Sequence, residues 1–177
     1  MNEATTANTG ATVKDTAAEN ETVMSRAAVN DVAVVNKALA AEHAAVYAYG
    51  LMGARTTGSL RAKVTAAFDA HRARRDQLRT LVSSGGGKPA EPEAAYALPV
   101  VPDSATEAVK LAVHVEAGIT AAYLELAAAT EPATRRLAAL AMQESAVRSY
   151  GFRPAVTAFP GMPPRAPQPP ASPKPSG

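Results

Sequence analysis

Cysteine and tryptophan are absent, and only 5% of the 177 residues are aromatic. Without cysteine there is no disulfide framework, no zinc–thiolate or iron–sulfur centre and no thiol nucleophile, so any metal would need oxygen and imidazole ligands. No stretch alternates apolar and polar residues with the period of a strand. No apolar run has the length of a membrane span, and Met1 to Thr22 lacks a signal-peptide core. A cytoplasmic protein with no membrane partner is the expectation. The formal net charge of +2 is too small to announce a nucleic-acid binder. A glycine-rich phosphate loop is also missing, because Gly85-Gly-Gly87 lacks the following Lys-Ser/Thr and helix. Nor is there a Gly-x-Ser-x-Gly elbow.

What the chain does have is alanine and apolar residues, 47% hydrophobic in all, enough to fill the core of one all-α domain. Spacing by threes and fours predicts four helices. The first follows Asn30 and Asp31 as N-cap and carries Val32, Val35, Leu39, Val46 and Tyr49 on its inner seam up to about Arg55. The second, capped by Ser59, carries Leu60, Val64, Ala67, His71, Arg74, Leu78 and Leu81 and ends at Gly85-Gly-Gly87. Lys88 to Pro102, with four prolines, is a long connection. The third helix starts at Asp103-Ser104 with Val109, Ala112, Glu116, Ile119, Tyr123 and Leu126 inward. The fourth opens at Glu131-Pro132 with Leu137, Leu140, Glu144 and Val147 inward. Residues 1–29 read as a disordered leader, 30–152 as the bundle and 153–177 as a proline-rich disordered tail. Two short turns and one long middle link give two antiparallel helix pairs joined by a crossover, the ferritin-like arrangement.

Each seam carries a polar interruption, the second both His71 and Arg74. Glu42, His71, Glu116 and Glu144 lie about three turns into their helices and should meet at mid-bundle height. Carboxylates and an imidazole converging from facing helices suit iron or manganese. Arg74, one turn beyond His71, and Arg148, one turn beyond Glu144, are the alternative partners, able to neutralise the acids in an Arg/Glu network without metal. His43 and His114 are rotated off the inner seams and read as flank or surface residues. Tyr49 and Tyr123 read as core side chains with satisfied hydroxyls.

Ala41-Glu-His-Ala-Ala-Val-Tyr-Ala-Tyr-Gly50, His71-Arg-Ala-Arg-Arg-Asp76, Val115-Glu-Ala-Gly-Ile119, Gln143-Glu-Ser145 and Ala158-Phe-Pro-Gly161 resemble an uncharacterised ferritin-like domain family of actinobacteria, over roughly residues 30–162. The broader ferritin-like pattern has one Glu on each of two helices and Glu-x-x-His on each of the other two. By that resemblance Glu42 and Glu116 match the single glutamates, His71 the second-helix His and Glu144 the fourth-helix Glu. Phe68 and Val147 stand where a Glu and a His would be, which leaves ligands for one metal more readily than for two.

Three functions follow as expectations. The first is a bundle that binds iron or manganese through Glu42, His71, Glu116 and Glu144, a metal-dependent oxidoreductase if it is an enzyme. The second is a non-catalytic scaffold or protein-interaction module with an Arg/Glu network at its centre. The third and weakest is an RNA-associated protein using the second-helix arginines. An exposed bundle face would also offer a homodimer surface.

Overall fold

The computed structural model describes residues 9–155 and Met162, with side chains from residue 31 onward. Among these residues the elements are α1 (Thr9–Gly53), α2 (Gly58–Ser84), α3 (Ala105–Leu126) and α4 (Pro132–Phe152). The chain is an all-α four-helix bundle built from packed helix pairs.

α1 starts about twenty residues earlier than the Asn30-Asp31 cap suggested. No proline or glycine interrupts the chain between Gly10 and Gly50, so nothing stops the helix at Asn30. Part of the expected leader, from Thr9, is therefore helical, while residues 1–8 lie outside the described residues. Asp31 instead holds the turn that leads into α4, whose N-cap is Glu131. The Asp31 carboxylate accepts from the backbone N–H groups of Thr130 and Glu131 at 2.7 and 2.8 Å, just ahead of α4. Most of the proline-rich tail also lies outside the described residues.

The core has two apolar halves. Val35, Leu39, Leu78, Val82, Tyr123, Leu126 and Ala138 belong to one. Tyr49, Met52, Val64, Ala67, Leu111 and Ala112 belong to the other. The stretch of α1 from Val35 to Ala45 thus meets the late parts of α2 and α3 and the first half of α4. α1 runs antiparallel to α2 and α3, and α2 parallel to α3, as a crossover between two hairpins requires. Each fully buried Leu in these clusters contributes roughly 2 kcal/mol of apolar burial.

The crossover leaves α2 by a tight glycine turn. Gly86 has φ +76°, a left-handed conformation that glycine adopts without strain. A Cβ on Gly87 would collide with the Val32 side chain, so the link can pass close to α1 only through glycine. Beyond it the segment is pinned along α1. Asn36 donates to the Lys88 carbonyl at 2.9 Å and accepts from Ala90 N–H at 2.7 Å, and the Tyr47 and Tyr96 rings meet at 5.4 Å. His43, expected at the surface or flank, is buried beneath this strap, while His114 is exposed.

α3 is capped reciprocally. The Ser104 hydroxyl accepts from Glu107 N–H, and the Glu107 carboxylate accepts from Asp103 N–H at 3.0 Å.

The seam of α4 departs furthest from expectation, and of its four expected inner residues only Leu137 packs, partly buried, against the core. The buried face of α4 is Thr134, Ala138, Ala141 and Ser145, whereas Leu140, Glu144 and Val147 are exposed. Small residues let α4 approach α3 closely, and that gain outweighs burying its larger side chains. On α2, Leu81 is likewise exposed and Val82 takes the inner position.

Candidate functional site

A polar layer separates the two halves of the core. Glu42, His71 and Glu116 are each no more than 1% exposed. His71 lies between the acids, its Nδ1 2.6 Å from Glu42 Oε2 and its Nε2 3.1 Å from Glu116 Oε1. The rest of each carboxylate is also occupied. Tyr123 donates to Glu42 Oε1 and Tyr49 to Glu116 Oε1, both at 2.6 Å. Arg148 Nε donates to Glu116 Oε1 at 3.1 Å, and the Ser145 hydroxyl donates to Glu116 Oε2. Among the described residues no buried side-chain nitrogen or oxygen lacks a partner.

The electrostatics follow from this packing. Burial by itself would depress the His71 pKa, but hydrogen bonds to Glu116 and Glu42, with their charges, outweigh it and raise the imidazole to about 9. Burial would likewise raise Glu116, yet the bond and charge of His71, the charge of Arg148 and the Ser145 hydroxyl hold it below its ordinary value. His71 is therefore an imidazolium at neutral pH, bonded to carboxylates through both nitrogens. Two anions face two cations, His71 and Arg148, and the layer is neutral. Burial and the adjacent acids push both tyrosines well above the usual phenol range, so each stays a donor.

Three of the four expected ligands meet. Glu144 does not, because it sits on the outer side of α4 with its side chain 51% exposed, 2.8 Å from Arg74 Nη2. Arg74, expected to neutralise the central acids, thus pairs with Glu144 at the surface. Arg148 turns instead to Glu116, with only a 4.0 Å contact to Glu144.

Ser145 is the residue that sequence reasoning missed. Its signal is a repeat: His71 follows Glu42 by 29 residues, and Ser145 follows Glu116 by the same 29. Each glutamate is followed two turns later by a tyrosine, and His71 and Ser145 are each followed one turn later by an arginine. The two hairpins are therefore built to one pattern, with Ser145 where the first hairpin has His71.

The donor set does not fit a metal centre. The two carboxylates approach opposite edges of the His71 ring rather than a common point. Both ring nitrogens and all four carboxylate oxygens of Glu42 and Glu116 are engaged within the chain. Among the described residues no group of three or more His, Asp or Glu side chains is arranged to hold a metal ion. No described helix is long and apolar enough to cross a membrane.

Two antiparallel helix pairs, a crossover strapped to α1 and a closed Glu–His–Glu layer make up this bundle. The chain belongs to the DUF4439 family, a domain of unknown function, which matches over residues 34–164. It is also similar to the crystal structure of a conserved hypothetical protein, rv2844, from Mycobacterium tuberculosis. That likeness has a TM-score of 0.67 and 33% sequence identity, covering 70% of this chain and 95% of the other. No curated protein matches.

Proposed function

We propose that this is a non-catalytic helical-bundle module whose central acids form a structural ion network, so that its activity is carried by its outer surfaces. The observation behind this reading is His71, whose two ring nitrogens each face a buried carboxylate. A ligand or general base needs a free lone pair, and an imidazolium has none. Tyr49, Tyr123, Ser145 and Arg148 complete the network and leave its acids no spare oxygen. Networks of this kind are best suited to fixing which residues face one another across a core.

Elemental analysis of protein made with iron and manganese supplied tests this reading. The expected result is metal well below one per chain and a melting curve unchanged by chelator. About one metal per chain, lost in Glu116→Ala and accompanied by a lower Tm on chelation, would instead establish the iron or manganese site.

A further inference from the structure

The cleft between α1, α2 and the crossover has the makings of a ligand site and shares no side chain with the central network. Its floor is His43, only 5% exposed. His43 Nε2 lies 3.1 Å from the Ala90 carbonyl oxygen, which can only accept. The proton is therefore on Nε2, and Nδ1 carries a lone pair. Among the described residues Nδ1 has no hydrogen-bond partner. Because no sealed side-chain nitrogen or oxygen among the described residues lacks a partner, Nδ1 must open to solvent, and the cleft that His43 lines is its outlet. Burial, aided by the charges of Arg75 and Arg79, outweighs the Ala90 hydrogen bond and keeps this imidazole below its ordinary pKa.

The walls add two further kinds of contact. Tyr47 and Tyr96 present tilted rings with centroids 5.4 Å apart. Arg75 and Arg79, one turn apart on α2, border the opening together with the carboxylates of Asp76, Glu91 and Glu93. Arg75 holds its neighbour Asp76 through Nε and Nη2, and Arg79 Nη2 reaches Glu91 at 3.3 Å, leaving N–H groups on each guanidinium for another acceptor. The Arg79–Glu91 pair is about half exposed on both sides and so is readily displaced. The cleft is open to solvent and has a volume of about 410 Å³.

We propose that this cleft binds a small aromatic carboxylate. Its ring rests against Tyr47 and Tyr96, and a phenolic O–H or ring N–H is donated to His43 Nδ1. Its carboxylate accepts from Arg75 and Arg79. The carboxylate supplies charge-assisted bonds, and the donor to His43 supplies selectivity, since a buried acceptor left unpaired is penalised.

The test is an NMR titration of the full chain with labelled histidine and tyrosine, using 4-hydroxybenzoate, benzoate and 4-hydroxybenzamide. The expected result is saturable shifts at His43 and Tyr47 with 4-hydroxybenzoate, and about tenfold weaker binding of the other two. In His43→Gln the amide N–H replaces Nε2 against Ala90 and nothing replaces Nδ1. This variant should bind 4-hydroxybenzoate no better than benzoate, and Arg75→Gln should weaken both acids. Unchanged His71 signals in each variant report an intact bundle. The proposal is overturned if 4-hydroxybenzoate gives no saturable shift at His43, or if His43→Gln keeps the preference for it over benzoate. Neither result bears on metal content at the centre.

Discussion

Tyr49 on α1 donates to Glu116 on α3, and Tyr123 on α3 donates to Glu42 on α1, at the same 2.6 Å. Each helix thus contributes one acid and the hydroxyl that satisfies the other helix's acid. The exchange locks the α1–α3 register, because sliding either helix by one turn would strand two buried carboxylates at once.

Tyr49→Phe and Tyr123→Phe should therefore be similarly costly. A hydrogen bond to a charged group is worth roughly 1.5–3 kcal/mol, and each variant removes one from a buried site. Urea denaturation of the two single variants measures this directly. A loss confined to one tyrosine would show that the two contacts are not equivalent.

Removing His71 should be worse. His71→Leu leaves Glu42 and Glu116 buried with Arg148 as their one remaining cation, and breaking a buried pair typically costs 3–5 kcal/mol. Replacing all three members by apolar residues of similar volume should recover much of that loss, because the acids then need no partner. Equilibrium unfolding of the single and triple variants compares the two.

The network also sets the pH profile. His71 has a raised folded-state pKa, so its contribution is fully present below the ordinary 6.5 and is lost as pH rises through about 9. The size of that contribution is of order 3 kcal/mol. Glu116 has a lowered folded-state pKa, so its contribution is present above the ordinary 4.5 and is lost as pH falls through the folded value. Stability measured across pH should show a plateau between about 4.5 and 6.5 with a decline on either side. In His71→Leu the alkaline decline should disappear.

Adjacent residues on α4 should respond oppositely to the sequence expectation. Glu144→Ala removes a surface pair with Arg74 and should cost less than about 1 kcal/mol. Ser145→Ala removes the hydroxyl that donates to the buried Glu116 carboxylate and should cost about 1–3 kcal/mol. Thermal melts of the two variants order them.

Much of the bundle was legible in the chain. The spacing of Leu39, Glu42 and Tyr49, of Val64, His71 and Leu78, and of Ala112, Glu116 and Tyr123 each marks a buried face, and all nine residues are buried. Those three helices carry large apolar residues on their inner sides, so periodicity finds the face. On α4 the inner side is Thr, Ala, Ala and Ser, and the larger residues Leu140 and Val147 point out. A rule that follows size then selects the wrong stripe and takes Glu144 along with it.

Sequence by itself determined the class, four helical segments and, with Glu144 wrongly among them, the three polar residues that meet at the centre, because helical period and burial are properties of one element at a time. Tertiary structure decided what those residues do. Whether Glu42, His71 and Glu116 surround a common point or flank a ring depends on how three helices are rotated against one another. Whether Arg148 serves Glu116 or Glu144 depends on how closely α4 lies against α3. His43 became a buried residue only because the crossover folds back over α1, a contact between segments whose local patterns say nothing of each other.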